Sequence, residues 1–251
     1  MAATPTILIL QTGDVPAGIM SGWSVGNFDR MFLDAADYGG CNVKVVHAQQ
    51  EALPNDAEPY AGVIVTGSPA MVSDREDWSE AAAAWLARGI ARGLAVLGVC
   101  YGHQLVAHAL GGRVGWHPAG KELGTHMIHL AAAATDHPLL AGLPQEFSAN
   151  LSHSQSVLEP PAGAKILAAS GHEPYQILAY GQRVLTLQFH PEFTGPIMQA
   201  YVDYETAQPK NDNPERPVNL GTPVLDTPDA RRVLQNFVNV VCDMTIGEGK
   251  P

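Results

Sequence analysis

The segment LAVLGVCYGHQ (94–104) joins a strand-like run to a glycine-bounded turn and the beginning of a helix. Residues 94–99 are apolar, which predicts a strand buried on both faces. Gly98 and Gly102 flank Cys100 in the pattern G-x-C-x-G. A sharp strand–turn–helix connection lifts its central side chain out of the sheet at a helix N-terminus, where a thiolate is favoured. Cys100 is therefore a candidate nucleophile, and the alternative is a buried structural cysteine.

Apolar runs and segments with helical periodicity alternate on both sides of this turn. We expect strands over 4–13, 42–47, 60–69 and 94–99, and helices over about 27–38, 77–91 and 101–110. Apolar strands that alternate with helices predict a mostly parallel sheet covered on both faces. The predicted fold class is therefore α/β, with an open, doubly wound sheet and helices on both faces.

The second half of the chain has a different pattern. Short strand-like runs separated by glycine and proline indicate a small antiparallel meander. These runs are 125–131, 164–170, 175–181 and 183–189.

The C-terminal part is expected to contain a loop and a final helix. Residues 205–226 are rich in Pro, Asn and charge, which predicts a long surface loop. Because the loop follows the strand end at His190, we expect it to border the ligand crevice, and the alternative is a disordered connector. A C-terminal helix is predicted over 228–241. We treat residues 1–251 as one domain.

The segment RVLTLQFHPEF (183–193) supplies a candidate base. His190 and Glu192 follow an apolar strand and are two residues apart. Side chains at positions i and i+2 of a strand point to the same face, so Glu192 can orient the imidazole while the ring faces Cys100. The alternative is a surface histidine beside an ordinary glutamate. The order Cys, His, Glu favours a catalytic triad.

Together, GVCYGHQ (98–104) and QFHPE (188–192) resemble the class I, or triad, glutamine amidotransferases. The chain is most similar to the amidotransferase half of GMP synthetases and its stand-alone relatives. The resemblance covers roughly residues 5–195. It implies that Cys100 attacks the side-chain amide of glutamine, forms a γ-glutamyl thioester and releases ammonia, without a metal or organic cofactor.

The resemblance also implies an oxyanion hole. The segment TGSP (66–69) lies where the family has a glycine-rich turn. Backbone amides of Gly67 and Ser68, with that of Tyr101, would stabilise the tetrahedral intermediate. Ser68 stands where many members of the family have a second glycine.

Four further residues would hold the amino-acid head group by the same resemblance. Gln104 lies one helical turn after Cys100 and can both donate and accept hydrogen bonds. Ser152, Ser154 and Gln155 belong to SHSQSV (152–157), a segment that is a substrate-binding loop in the family. Many members have Gly-Asp where this chain has Ser154-Gln155.

Composition narrows the classes of partner. The formal net charge of −11 disfavours binding to nucleic acid or to an anionic membrane surface. The sequence lacks a zinc-ligand spacing, so we expect no metal site. Lys121 and Glu122 are interpreted as a solvated pair, and the alternative is that they line the pocket. Glutamine or a γ-glutamyl compound is the expected ligand.

The cysteines and the N-terminal segment indicate a cellular location. Cys41, Cys100 and Cys242 form an odd and sparse set, which does not predict a disulfide framework. We interpret Cys41 and Cys242 as structural residues. The segment MAATPTILIL (1–10) lacks the basic start of a secretory signal. A reducing cytoplasm is therefore the expected location, where the thiol of Cys100 stays usable.

Two alternatives to a glutaminase remain at this stage. The sequence has no loop that would bind ATP pyrophosphate, so it lacks the synthetase half that would use the ammonia. A synthetase partner chain could receive the ammonia, and the sequence leaves the acceptor open. The same triad would equally serve a γ-glutamyl peptidase or transferase. A non-catalytic binding or regulatory module on the same fold is the alternative of another class.

Overall fold

The computed structural model describes residues 4–56, 59–207 and 217–247. The strands are β1 (Thr6–Gln11), β2 (Asn42–His47), β3 (Gly62–Val65), β4 (Val96–Val99), β5 (Arg113–Trp116), β6 (Lys121–Leu130), β7 (Glu146–His153), β8 (Gln155–Glu159), β9 (Lys165–Ala169), β10 (Ile177–Ala179), β11 (Val184–Leu187) and β12 (Val218–Gly221). The helices are α1 (Ala17–Trp23), α2 (Phe28–Ala35), α3 (Asp77–Ala91), α4 (Tyr101–Ala109), α5 (Gly195–Ala207) and α6 (Pro228–Gly247).

The parallel half of the main sheet has the order β11-β4-β3-β1-β2. The strand β4 lies between β3 and β11, with Val99 opposite Leu187 of β11. The carboxyl ends of parallel neighbours meet at one edge of the sheet, where α/β folds bind ligands. This topology brings the segments that follow β3, β4 and β11 together, and they carry Gly67, Cys100 and His190.

Both faces of this sheet are buried, as its sequence predicts. Ile7 and Ile9 of β1 point into a core that contains Phe32 of α2 and Phe237 of α6. The alternate residues of β1 point into a second core, which also contains residues of α3 and α4. The α/β fold class with helices on both faces is confirmed. Within the described residues, no helix has the length and apolarity needed to span a membrane.

The antiparallel strands extend the same sheet. The strand β11 pairs antiparallel with β10, which pairs with β9, and β9 pairs with β6. The strand β7 pairs antiparallel with β6, and β12 pairs parallel with β6 at the edge. The result is one mixed sheet of 10 strands. The last run of the predicted meander, 183–189, also joins the parallel half, because β11 is parallel to β4.

The predicted loop over 205–226 is wrong at both of its ends. The helix α5 continues to Ala207, and β12 occupies Val218–Gly221. Residues 208–216 lie outside the described part of the chain. The helix begins with Gly195-Pro196, a pair that resembles a turn, and its buried face forms only against tertiary neighbours. The elements that the sequence did not predict are α1, β5, β7, β8, α5 and β12.

Cys41 and Cys242 form a disulfide, and their Cα atoms are 6.0 Å apart. The odd cysteine count predicted no such bond, and this prediction was wrong for the pair. The two residues are separated by 201 positions in the sequence. The bond ties the residue before β2 to α6, which packs on the same face of the sheet. Cys100 is the unpaired cysteine and is buried.

Candidate active site

Cys100 occupies the sharp turn between β4 and α4. Its φ is 51° and its ψ is −101°, a conformation that costs free energy for any residue other than glycine. A Cβ at Gly102 would lie 2.4 Å from the carbonyl oxygen of Val65, and a Cβ at Gly98 would lie 2.6 Å from that of Gly102. Both flanking glycines are therefore required by close backbone contacts, as the G-x-C-x-G pattern predicts.

His190 follows β11 and is held by a carboxylate and two aromatic rings. Its Nδ1 lies 2.7 Å from Oε1 of Glu192. The imidazole stacks on Phe193, with ring centroids 4.0 Å apart and an angle of 13° between the ring planes. The ring of Phe28 is nearly parallel to the imidazole, with its centroid 6.4 Å away. The imidazole also lies close enough to Cys100 for each side chain to shift the pKa of the other. The structure thus brings Cys100, His190 and Glu192 together in one chain of contacts.

The electrostatics of the pair favour an ionised thiol. Burial raises the pKa of Cys100, but the charge of His190 and its hydrogen bond outweigh this effect and bring the pKa below its usual value. Burial lowers the pKa of His190, but the charges of Glu192 and Cys100 and their hydrogen bonds raise it to about 10. Both shifts favour a thiolate beside an imidazolium over the neutral pair.

A cavity of about 160 Å³ lies at this edge of the sheet, and we call it the Cys100 cavity. It is lined by Cys100 and His190 and by most of the other predicted site residues, namely Ser68, Tyr101, Gln104, Ser152, Ser154 and Gln155. Gly67 lies against the base, because a Cβ there would be 2.9 Å from Cε1 of His190. Glu192 lies behind the imidazole and lines a different cavity.

Two predicted oxyanion donors border the nucleophile. Tyr101 is the first residue of α4, so its backbone N–H has no acceptor within the helix. Its phenol is turned away and lies 2.6 Å from the hydroxyl of Ser79. Ser68 uses its hydroxyl to accept from the amide of Ala70 at 3.1 Å. Both side chains therefore contact protein groups, and the backbone amides remain the candidate donors.

The side-chain amide of Gln104 is fixed by the protein. Its Nε2 donates to the carbonyl of Gln155 at 2.7 Å and to Oε1 of Gln188 at 3.0 Å. Both amide hydrogens are then used, which leaves Oε1 as the group able to bind a ligand. Gln104 can therefore accept from an ammonium group, whereas the sequence had also predicted that it could donate.

The segment 152–157 is the junction of two strands and not a loop. Ser152 lies near the end of β7, Gln155 begins β8, and Ser154 lies between them. The carbonyl oxygen of Ser152 lies 3.7 Å from Sγ of Cys100. The side chain of Gln155 bonds to Ser73, so only its backbone is directed to Gln104.

Lys121 and Glu122 are not a solvated pair, and that interpretation was wrong. They begin β6, where successive side chains point to opposite faces. Lys121 lines the Cys100 cavity, and Glu122 is fully buried with its Oε2 3.0 Å from Nε2 of His153. Burial lowers the pKa of His153, but this bond and the charge of Glu122 raise it above its usual value.

Sequence reasoning missed two residues of the cavity wall. Tyr201 and Glu205 of α5 line the Cys100 cavity, and Glu205 forms a salt bridge with Lys121. The first position of the predicted loop over 205–226 therefore borders this cavity. The polar pattern of that segment indicated a surface location but no partner for Glu205.

The sequence matches the family model described as glutamine amidotransferase class-I over residues 25–202. The chain belongs to this family. The match covers more than half of the chain and includes every predicted site residue. The family, which the two sequence motifs had indicated, is confirmed.

Several relatives are named as enzymes that differ in their overall reactions. The chain is 37% identical over 158 residues to a GMP synthase of Thermomicrobium roseum, an alignment that covers 60% of this chain and 28% of that protein. It is 29% identical to one subunit of the GMP synthase of Saccharolobus solfataricus, with coverages of 66% and 85%. It is 28% identical to gamma-glutamyl peptidase 5 of Arabidopsis thaliana, with coverages of 59% and 60%. The chain thus spans about a quarter of the first GMP synthase.

The fold is shared with a solved glutamine amidotransferase of Thermotoga maritima. The two structures have a TM-score of 0.69 at 16% identity. The comparison covers 96% of this chain and 99% of the other. At this identity the similarity establishes the α/β architecture.

Proposed function

We propose that the chain hydrolyses the side-chain amide of glutamine through a γ-glutamyl thioester on Cys100. The observation that carries this proposal is the buried contact of Cys100 with His190, whose other ring nitrogen is held by Glu192 at 2.7 Å. A thiolate beside an imidazolium, at the N-terminus of a helix and in the wall of a cavity, is the arrangement that nucleophilic acyl transfer requires.

The first half of the reaction forms the thioester. The Sγ of Cys100 attacks the γ-carbonyl carbon, and the carbonyl oxygen takes the electron pair. The backbone amide of Tyr101, with those of Gly67 and Ser68, stabilises this oxyanion. His190 then donates its proton to the nitrogen, the carbon–nitrogen bond breaks and ammonia leaves.

The second half returns the enzyme to its starting state. The neutral His190 takes a proton from water, and the resulting hydroxide adds to the thioester carbon. The carbon–sulfur bond then breaks, glutamate leaves, and the thiolate of Cys100 again faces the imidazolium. Glutamine and water are consumed, glutamate and ammonia are produced, and the protein residues suffice for each proton transfer.

The ammonia would be used by a second protein chain. The relative from Saccharolobus solfataricus is named as one subunit of a GMP synthase, and the alignment covers 85% of it. By analogy, a synthetase chain would receive the ammonia.

We also propose a cytoplasmic location, because a reducing compartment keeps the thiol of Cys100 available. The Cys41–Cys242 disulfide favours a more oxidising one, and thiol quantification in freshly lysed cells decides between them.

A γ-glutamyl peptidase is the second candidate. It is favoured by the relative from Arabidopsis thaliana, of which the alignment covers 60%. Such an enzyme would use the same thioester and release an amine or amino acid in place of ammonia. A non-catalytic module is disfavoured, because a binding protein has no need for a strained cysteine beside a charged histidine.

Ammonia release from glutamine tests the proposal directly. We expect saturable release from L-glutamine, measured by coupling to the reductive amination of 2-oxoglutarate, and none from asparagine, which is shorter by one methylene. A γ-glutamyl dipeptide is assayed in parallel. If its kcat/KM exceeds that of glutamine, the peptidase assignment replaces ours. No cleavage of either compound would contradict both.

Cys100 should react with a glutamine-like chloroketone at lower pH than an ordinary cysteine does. Its pKa is lowered by His190 against the effect of burial, so the thiolate persists as the pH falls and disappears only below that lowered pKa. The alkylation rate is measured against pH, with a cysteine-containing peptide as reference, and the site is mapped by mass spectrometry. A profile that coincides with the peptide's, or label elsewhere, would contradict the assignment.

A further inference from the structure

The helix α5 forms a wall of the Cys100 cavity that no motif of the sequence marks. Tyr201 and Glu205 are four residues apart on this helix, so they lie on one face, and both line the cavity. Tyr201 is buried, and its hydroxyl has no hydrogen-bond partner among the described residues. A buried, unpaired hydroxyl in a cavity wall indicates a ligand that completes its bonding.

Lys121 pairs with Glu205 across the cavity wall. Its Nζ lies 2.5 Å from Oε1 of Glu205, and the two side chains are 19% and 35% exposed. Lys121 and Glu205 are the two residues of the types Lys, Arg, Asp and Glu among the described residues that line the cavity. One positive and one negative group therefore lie side by side, within reach of a ligand in the cavity.

The pair lies in the wall of the same cavity as Cys100 and His190, next to the aromatic residues that flank the base and to the β7–β8 junction. Tyr201 contacts Phe193 with ring centroids 4.8 Å apart, and Phe193 stacks on His190. Glu205 is one helical turn farther along α5. Glu122 is opposite His153 in the β6–β7 ladder, which places Lys121 next to the β7–β8 junction. A substrate whose amide carbon is at Cys100 would extend its other end toward Lys121 and Glu205.

We propose that Lys121 and Glu205 bind the α-amino-acid head group of the γ-glutamyl substrate and thereby select for a zwitterion. Lys121 and the hydroxyl of Tyr201 donate to the α-carboxylate, and Glu205 and Oε1 of Gln104 accept from the α-ammonium. This inference rests on the proposed function and specifies its substrate class as compounds with a free α-amino and a free α-carboxylate group.

The pairing of opposite charges explains how such selection arises. In the empty site, each charge neutralises the other. A zwitterion can replace both partners at once, because it brings an anion to Lys121 and a cation to Glu205. A ligand with only one of these charges leaves either Lys121 or Glu205 without a partner in a partly buried site, and that loss discriminates against it.

Binding is measured by calorimetry in the Cys100→Ala protein, which cannot turn the ligand over. The ligands are glutamine, glutaramate, which lacks the α-ammonium group, and 4-aminobutanamide, which lacks the α-carboxylate. Each is titrated into proteins that also carry Lys121→Met or Glu205→Gln. We expect Lys121→Met to weaken glutamine and glutaramate by about tenfold or more, and Glu205→Gln to weaken glutamine and 4-aminobutanamide similarly.

The complementary combinations should show no loss of affinity. Lys121→Met should not weaken 4-aminobutanamide, and Glu205→Gln should not weaken glutaramate, because the deleted charge is the one that this ligand leaves without a partner, and its removal relieves that cost. The exposed pair Arg113–Glu159, which does not line the cavity, supplies matched controls in Arg113→Met and Glu159→Gln. These should leave all three Kd values unchanged.

A charge swap separates recognition from a purely structural salt bridge. The double variant K121E/E205K keeps an ion pair but reverses its polarity. We expect a melting temperature close to that of the parent and glutamine binding weakened by about tenfold or more. Wild-type affinity in the swap, or equal losses for all three ligands in each single variant, would overturn the proposal.

The proposed function has a separate readout, which is ammonia release by the chain with Cys100 intact. If the chain releases ammonia but Lys121→Met and Glu205→Gln leave the Kd values unaltered, only the head-group subsite is overturned. If glutamine binds tightly and the two variants change the Kd values as expected, but no ammonia is released, only the hydrolytic assignment is contradicted. Undetectable glutamine binding and no release would contradict both.

Discussion

Replacing Cys100 with serine is expected to lower the rate of ammonia release from glutamine by on the order of 10⁴-fold or more. The contact with His190 brings the pKa of Cys100 below its usual value despite burial and so favours the thiolate. A serine hydroxyl does not ionise beside the same imidazolium, and a neutral hydroxyl is a weak nucleophile. The oxyanion hole and the cavity would remain, so a small residual rate over water is expected.

The fold and the substrate site should survive this substitution. Serine has nearly the same volume and occupies the same strained turn, whose φ is 51° in the parent. We expect a melting temperature close to that of the parent and a Kd for glutamine within about threefold of that of Cys100→Ala. A rate within tenfold of the parent, confirmed with protein from an independent preparation, would mean that Cys100 is not the nucleophile.

The local motifs could be predicted because their geometry is contained in a few consecutive residues. Gly98 is required by its contact with the carbonyl of Gly102 inside the turn, and Gly102 by the carbonyl of Val65 in the neighbouring strand β3. The turn itself sets where the side chain of Cys100 projects. His190 and Glu192 share a face because they are two residues apart after a strand. The pairing of β11 with β4 was not predicted, because the sequence pattern indicates an antiparallel meander over 183–189 and does not show which strand lies beside β4.

Contacts between distant segments could not be predicted in the same way. Lys121 and Glu205 are far apart in the sequence, with most strands of the antiparallel half of the sheet between them, although their side chains are in contact. Their charges alone indicate solvated residues. The Cys41–Cys242 disulfide joins residues that are 201 positions apart. The apolar residues of α5 are spaced without a strong helical period, so this helix depends on its tertiary neighbours, among them β6, β7 and α1.

The division between these two groups has a functional meaning. The proposed catalytic residues lie in local motifs, whereas Tyr201, Glu205 and Lys121 are brought to the cavity by tertiary structure. A family can therefore keep one reaction at the end of β4 while other parts of the cavity wall change. The names of the relatives, GMP synthase and gamma-glutamyl peptidase, fit this separation of chemistry from specificity.

Replacing Glu192 with glutamine is expected to lower kcat/KM by about 10³- to 10⁴-fold. The carboxylate accepts a hydrogen bond from Nδ1 of His190 at 2.7 Å and is buried behind the ring. A glutamine amide has nearly the same shape but no charge, and its NH₂ group can donate to Nδ1. The imidazole would then hold its proton on Nε2 in the neutral tautomer and could no longer receive a second one at a useful pH.

The pH–rate profile gives this variant a signature that loss of packing would not produce. In the parent, Glu192 and the Cys100 thiolate raise the pKa of His190 to about 10 against the effect of burial. The imidazolium is lost as the pH rises through that value, which ends proton donation to the leaving nitrogen. Without the Glu192 charge the pKa falls, so the alkaline limb of kcat should move to lower pH. Glu146→Gln is the matched control, because Glu146 contacts His129 in an exposed pair at 3.2 Å. An alkaline limb that stays in place, or a loss smaller than about tenfold, would show that Glu192 does not control the charge of His190.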